Sequence, residues 1–315
     1  MKKTEFTYPS CDGMTTIHGI KWEPEGEPKA VLQIVHGMTE YLDRYDHFAS
    51  FLTEHGYVVA GEDHLGHGKS VVNDSYHGYF GEGANNLVIQ DIHQLRLKLN
   101  EEYPNIPYII MGHSMGSFLT RQYITENQSD YAEGIAGVII MGTGWQPGIA
   151  LTLGKGVSSI LGAIKGQRAN SKLIEIMAFG SYLKRIENPE SISDWLTKDR
   201  EVVKKYRKDP YCRFHFTTNG FYGLFSAIKE SQDIKRIESL PNGLPLLFVS
   251  GTEDPVGNYG EGVRKAFMKY SEHSYCQVDI KLYEGDRHEI LNELDKDEVF
   301  ADILEWMDCC VEDRK

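Results

Sequence analysis

The spacing of apolar positions changes period repeatedly along the chain, and the changes mark its elements. Short, nearly continuous apolar runs rich in β-branched residues recur at 30–35, 57–61, 108–111, 136–141 and 244–250. Such runs are expected of strands buried on both faces of a parallel sheet. Between them the period becomes helical. Tyr45, Phe48, Ala49, Phe51 and Leu52 share one face; Leu87, Ile89, Ile92, Leu95, Leu97 and Leu99 are the apolar positions of a helix over 85–100; Phe118, Leu119, Tyr123 and Ile124 predict a third over 117–127. Ahead of these, 6–10 and 14–22 predict a strand pair around Cys11-Asp12-Gly13. After residue 141 the alternation stops. Loosely helical apolar residues follow (Ile149, Leu151, Leu153, Val157, Ile160, Leu161, Ile164), then a charged run over 194–209, then an aromatic cluster from Phe214 through Phe216 and Phe221 to Tyr222 and Phe225. The last strand-like runs, 244–250 and 277–283, are followed by helices at 258–270 and 296–310. The pattern predicts an α/β chain with a mostly parallel central sheet flanked by helices. It divides into a first core segment (1–144), an inserted helical cap (145–225) and a second core segment (226–315).

The run at 108–111 leads directly into Gly112-His113-Ser114-Met115-Gly116 and then into a helix. Strand, G-x-S-x-G and helix in this order form a nucleophile elbow: glycines permit a sharp turn that lifts the serine hydroxyl above the sheet, at a helix N-terminus. A serine needs a base, and the base needs an orienting acid. In a parallel sheet these groups belong at the carboxyl ends of strands, in the chain order serine, acid, histidine. Of the twelve histidines, His273 and His288 lie beyond a suitable acid, and only His288 follows the last strand. The loop after the strand at 244–250 offers Glu253 and Asp254; Asp254 lies deeper in it, before Pro255. Ser114, Asp254 and His288 are therefore the expected catalytic residues. The backbone N–H groups of Met115 and of Met38, in His36-Gly37-Met38, are the expected oxyanion donors.

Composition narrows the partners. A formal net charge of −13 argues against nucleic acid or anionic membrane as electrostatic partners. The N-terminal residues contain no apolar signal-peptide core, and no run of apolar residues is long enough for a membrane span. Five scattered cysteines without a C-x-x-C pair fit a reducing, cytoplasmic setting. Asp63-His64-x-x-His67 has metal-ligand residue types but no third ligand nearby, so a glycine-rich loop bracing the site is expected there. Gly142-Thr143-Gly144 lacks the third glycine and the helix of a dinucleotide fingerprint. No metal and no cofactor are expected. The apolar stretch 149–164 is open to two readings: packing over the core, or transient contact with a membrane or micelle surface. The aromatics at 214–225 line an acyl pocket or form ordinary core.

Five motifs in order resemble the monoacylglycerol lipase and lysophospholipase branch of the α/β-hydrolase fold. They are His36-Gly37-Met38-Thr39-Glu40 with Arg44-Tyr45, Asp63-His64-Leu65-Gly66-His67-Gly68-Lys69-Ser70, Gly112 to Ser117, Asp254-Pro255-Val256-Gly257, and Arg287-His288-Glu289. Within the insertion, Asp194-Trp195-Leu196 and Asp209-Pro210-Tyr211-Cys212 are similar to bacterial members called lysophospholipases. The resemblance implies a serine ester hydrolase acting on a small lipid or ester with an apolar acyl chain. The same triad also serves small esters, amides, thioesters and acyl transfer, because a fold does not fix a substrate. A non-catalytic binding module would be expected to lack one of the three residues.

Overall fold

The computed structural model of the chain describes residues 1–312, the side chains of 127–129 excepted, so the last three residues of the expected second core segment lie outside it. Eight strands form one sheet: β1 (Lys2–Pro9), β2 (Thr16–Glu23), β3 (Ala30–Val35), β4 (Tyr57–Glu62), β5 (Tyr108–His113), β6 (Ile135–Met141), β7 (Pro245–Gly251) and β8 (Gln277–Tyr283). Their spatial order is β1-β2-β4-β3-β5-β6-β7-β8. β1 and β2 form an antiparallel hairpin, and β2 pairs antiparallel with β4. From β4 to β8 every pairing is parallel. The hairpin begins four residues before the expected run, since the edge strand β1 alternates Lys3 and Glu5 outward; charge on an edge strand hides its period from hydropathy.

Ten helices complete the described chain: α1 (Asp46–Glu54), α2 (Asn85–Glu102), α3 (Met115–Tyr123), α4 (Gly148–Lys165), α5 (Lys172–Phe179), α6 (Arg200–Lys208), α7 (Thr218–Ser231), α8 (Ile234–Ile237), α9 (Glu261–His273) and α10 (Lys296–Glu312). One face of the sheet (Val31, Ile110, Ile140, Phe248) packs on α2, α3, α7 and α9. The other (Leu32, Ile109, Ile139, Val249) packs on Phe48 and Leu52 of α1 and on Phe300, Ile303 and Met307 of α10. Both faces are covered, which explains the unbroken apolar runs. Two boundaries differ from expectation for local reasons. α3 stops at Tyr123, where the Thr125 hydroxyl donates to the Gln122 carbonyl at 2.8 Å and competes with the helix ladder. α9 starts at Glu261, because Asn258, Tyr259 and Gly260 take φ of 48°, 58° and 84° and cannot be helical.

All of α4 to α8 lies between β6 and β7, and the boundary expected at residue 225 falls inside α7. Phe216, Phe221 and Phe225 join the core cluster with Phe80 and Val88, so this part of the aromatic run is packing. On α4 the buried stripe is Leu151, Gly154, Ser158 and Gly162. A Cβ on Gly154 would sit 2.8 Å from the Phe225 ring, so small residues let α4 and α7 approach closely. The large residues Ile149, Leu153, Ile160 and Ile164 face outward, each more than half exposed. Among the described residues no helix is long and apolar enough to cross a membrane.

Candidate active site

β5 ends at His113 and α3 begins at Met115; between them Ser114 sits at φ 55°, ψ −122°. This strained turn persists because the surroundings over-determine it. A Cβ at Gly116 would collide with the Val35 and His36 carbonyls, and one at Gly112 with the Gly116 backbone and the Thr120 hydroxyl. The Ser114 N–H donates to the Met141 carbonyl at 3.0 Å. As the first residue of α3, Met115 has an N–H with no acceptor within the helix. The other expected donor loop presses on the serine from β3: a Cβ on Gly37 would lie 3.0 Å from the Ser114 Cβ.

Loops after β7 and β8 bring Asp254 and His288 together. Both are fully buried, and the His288 Nδ1 lies 3.0 Å from Asp254 Oδ2. That oxygen also accepts from the Ser250 hydroxyl at 3.1 Å, while Oδ1 accepts from the Val256 N–H at 2.8 Å. A carboxylate facing Nδ1 places the imidazole proton there and leaves Nε2 as the acceptor. Nε2 is buried with no protein hydrogen-bond partner. Glu253 is instead turned to the surface, 3.9 Å from Arg287, and His273 stays at the end of α9 beside Glu238.

A buried polar network behind these loops had only its sequence positions to announce it. The Glu40 carboxylate accepts from Arg44 at 2.8 Å and from the Tyr45 hydroxyl at 2.9 Å, and lies 3.1 Å from His113 Nδ1. Arg44 also donates to both Glu289 oxygens, at 2.9 and 2.7 Å. Against the cost of burial, the His113 hydrogen bond and the nearby Arg44 charge hold the Glu40 carboxyl well below its usual range; Glu40 in turn raises His113 despite burial. The network joins the donor loop, the elbow (through His113) and the histidine loop (through Glu289). A signal was present in the sequence: Glu40 and Arg44 stand four apart, and Glu289 follows His288 directly.

The loop 63–70 is a brace. Asp63 accepts from the Leu42 and Lys69 N–H groups at 2.9 and 3.0 Å and pairs with His18 at 2.9 Å. His36 and His64 stack with centroids 4.0 Å apart, and the His64 N–H donates to His36 Nε2 at 2.9 Å. Among the described residues no group of three or more His, Cys, Asp or Glu is placed to hold a metal ion.

A family model described as serine aminopeptidase, S33, of the α/β-hydrolases, matches residues 26–295. The chain belongs to that family. It is 27% identical over 288 residues to a monoglyceride lipase homolog of monkeypox virus, covering 91% of this chain and 92% of the relative. It is 25% identical to a monoacylglycerol lipase of Mycolicibacterium smegmatis, over 97% of each chain. Among solved structures, a thermostable carboxyl esterase from Bacillus coagulans in complex with glycerol superposes with a TM-score of 0.91 at 30% identity, over 99% of both chains.

Proposed function

We propose that this serine ester hydrolase cleaves carboxylic esters with an apolar acyl chain, of monoacylglycerol or lysophospholipid type, through an acyl-enzyme on Ser114. The Ser114 Oγ attacks the ester carbonyl while His288 Nε2 takes its proton. The resulting oxyanion is held by the N–H groups of Met38 and Met115. The tetrahedral intermediate collapses, His288 protonates the departing alcohol, and water activated by His288 releases the fatty acid. Asp254 fixes the imidazole tautomer throughout. The observation that carries this reading is the buried Asp254–His288 pair with its unpartnered Nε2, on the same sheet edge as a strained serine. The names of the relatives support the ester class. The helices between β6 and β7 act as a cap over two core segments, and the outward apolar face of α4 makes transient contact with membranes or micelles. Five free cysteines favour the cytoplasm.

Hydrolysis of p-nitrophenyl esters from acetate to palmitate, with Ser114→Ala in parallel, tests the reading. The expected result is a maximum at medium or long chains and loss of at least about a thousandfold in the variant. A maximum at acetate would move the substrate to small esters. Turnover of p-nitroanilides in preference to esters would favour the peptide-bond chemistry of the family description.

A further inference from the structure

The charged stretch of the cap lands on both loops of the site. At one end Arg287 donates to the Asp194 carbonyl at 2.7 Å, the Glu289 N–H donates to the Leu196 carbonyl at 2.7 Å, and the Trp195 ring lies 4.9 Å from that of His288. At the other end, Tyr41 donates to Asp209 at 2.7 Å, and Tyr206 of α6 reaches the loop that carries Met38. All of these contacts but that of Tyr206, which lies on α6, involve the two short cap segments, 194–196 and 209–212, that neither the core motifs nor the serine chemistry absorbed.

Thr39 is the sensitive point. It follows Met38 directly and takes φ 53°, a conformation that a β-branched residue holds only under constraint. Its hydroxyl donates to the Met38 carbonyl at 2.8 Å, which leaves its oxygen to accept from the Tyr206 hydroxyl, also at 2.8 Å. The Tyr206 ring lies 4.9 Å from the Arg44 guanidinium, and Arg44 is the ion that joins Glu40 to Glu289. A single cap side chain thus bears on the strained residue beside the oxyanion donor and on the network behind it.

We propose that Tyr206 is a positioning residue for the oxyanion site: its hydrogen bond to Thr39 fixes the Met38 peptide, so the cap sets turnover as well as substrate choice. The proposal rests on the reading of Met38 and Ser114 given above. Oxyanion stabilisation depends on donors held in place before reaction, and small displacements there act on kcat. A cap residue that only shaped an acyl pocket would act on KM, and on long chains alone.

Tyr206→Phe removes the hydroxyl and keeps the ring on Arg44. Expected is a fall in kcat of about 10- to 100-fold with KM little changed, equal for p-nitrophenyl acetate and for a long-chain ester. Affinity for a trifluoromethyl ketone that forms a tetrahedral adduct should fall in step. Thr39→Ser, which keeps the oxygen, should retain kcat, while Thr39→Val, which also loses the bond to the Met38 carbonyl, should fall at least as far as Tyr206→Phe, with no further loss when Tyr206→Phe is added to it. Thermal unfolding of each variant identifies any that fails to fold; the Phe and Ser variants decide the matter if the Val variant does. Unchanged kcat in Tyr206→Phe, or a loss confined to KM on long chains, would overturn the proposal alone. Wild-type turnover that survives Ser114→Ala would overturn the proposed function and this inference with it.

Discussion

At the residue scale, the Asp254 carboxylate does more than lie near His288. Its two oxygens have different obligations: Oδ1 faces the Val256 N–H, which can only donate, and Oδ2 faces His288 Nδ1. In Asp254→Asn the amide oxygen must meet the Val256 N–H, and the NH2 is then directed at Nδ1. The imidazole answers by moving its proton to Nε2, the atom that should accept from Ser114. We expect kcat to fall by roughly 10⁴-fold with a small change in KM and an unchanged unfolding midpoint, measured with a p-nitrophenyl ester. A variant keeping a tenth of wild-type turnover would show that tautomer control is not what Asp254 supplies. The sharp turn at Ser114 and the meeting of Asp254 with His288 were legible because backbone chemistry surrounds each: glycines that no side chain could replace, a strand end, and a chain order that a parallel sheet imposes. The network that joins Glu40, Arg44 and Glu289 was not, although all three stand in the motifs, because charged letters in loops read as solvated until the fold buries them.

At the element scale, legibility followed the period. Strands covered on both faces announced themselves, whereas α4 misled in detail: its largest apolar residues face outward, and the residues that pack are glycines and a serine that hydropathy ignores. The exposed face carries its own prediction. Ile160→Ser with Ile164→Ser should weaken association with neutral phospholipid vesicles and lower activity on a micellar long-chain ester, leaving soluble short-chain turnover intact. Equal loss on both substrates would mean that the face serves folding or the pocket instead. A second element-level device is Arg121 on α3. Fully buried, it donates to the Gly144 carbonyl at 2.9 Å and to the Ser231 carbonyl at 3.1 Å, one just past β6 and the other closing α7. One guanidinium thus ties the entry of the insertion to the end of α7, a helix packed on the core. Arg121→Leu would leave the Gly144 carbonyl buried without its donor and the Ser231 carbonyl with the Tyr270 hydroxyl alone, costing about 1–3 kcal/mol. Limited proteolysis should then cut within 145–231 before the core; uniform cleavage along the chain would contradict the clamp.

At the scale of the whole molecule, two sets of buried groups oppose each other in pH. Burial lowers His36 to about 3, with His64 adding to the fall, and lowers His64 to about 4 against the pull of Asp63 and Glu40. An unfolded chain protonates these imidazoles near pH 6.5, so it binds more protons than the fold between there and pH 3–4, and stability falls as the medium is acidified through that window. Glu62 has the reverse sign. Burial raises it to about 8, against the hydrogen bond from Tyr8, with Asp63 adding to the rise; His64 Nδ1 is 3.4 Å away. Between about pH 4.5 and 8 the folded chain holds a proton that the unfolded chain releases, so stability declines as pH rises across that range, by a limit on the order of 5 kcal/mol. The melting temperature should therefore peak near pH 6. Glu62→Gln isolates the share of Glu62 in the alkaline arm, which Asp91, raised to about 7 by burial, also feeds; glutamine keeps the shape and never ionises. The variant should melt with the wild type at pH 4.5 and several degrees above it at pH 8.5, by calorimetry. A gap that stays flat across this range would mean that Glu62 ionises in the fold as it does in the unfolded chain, its carboxylate held by more than the neutral Tyr8 hydroxyl.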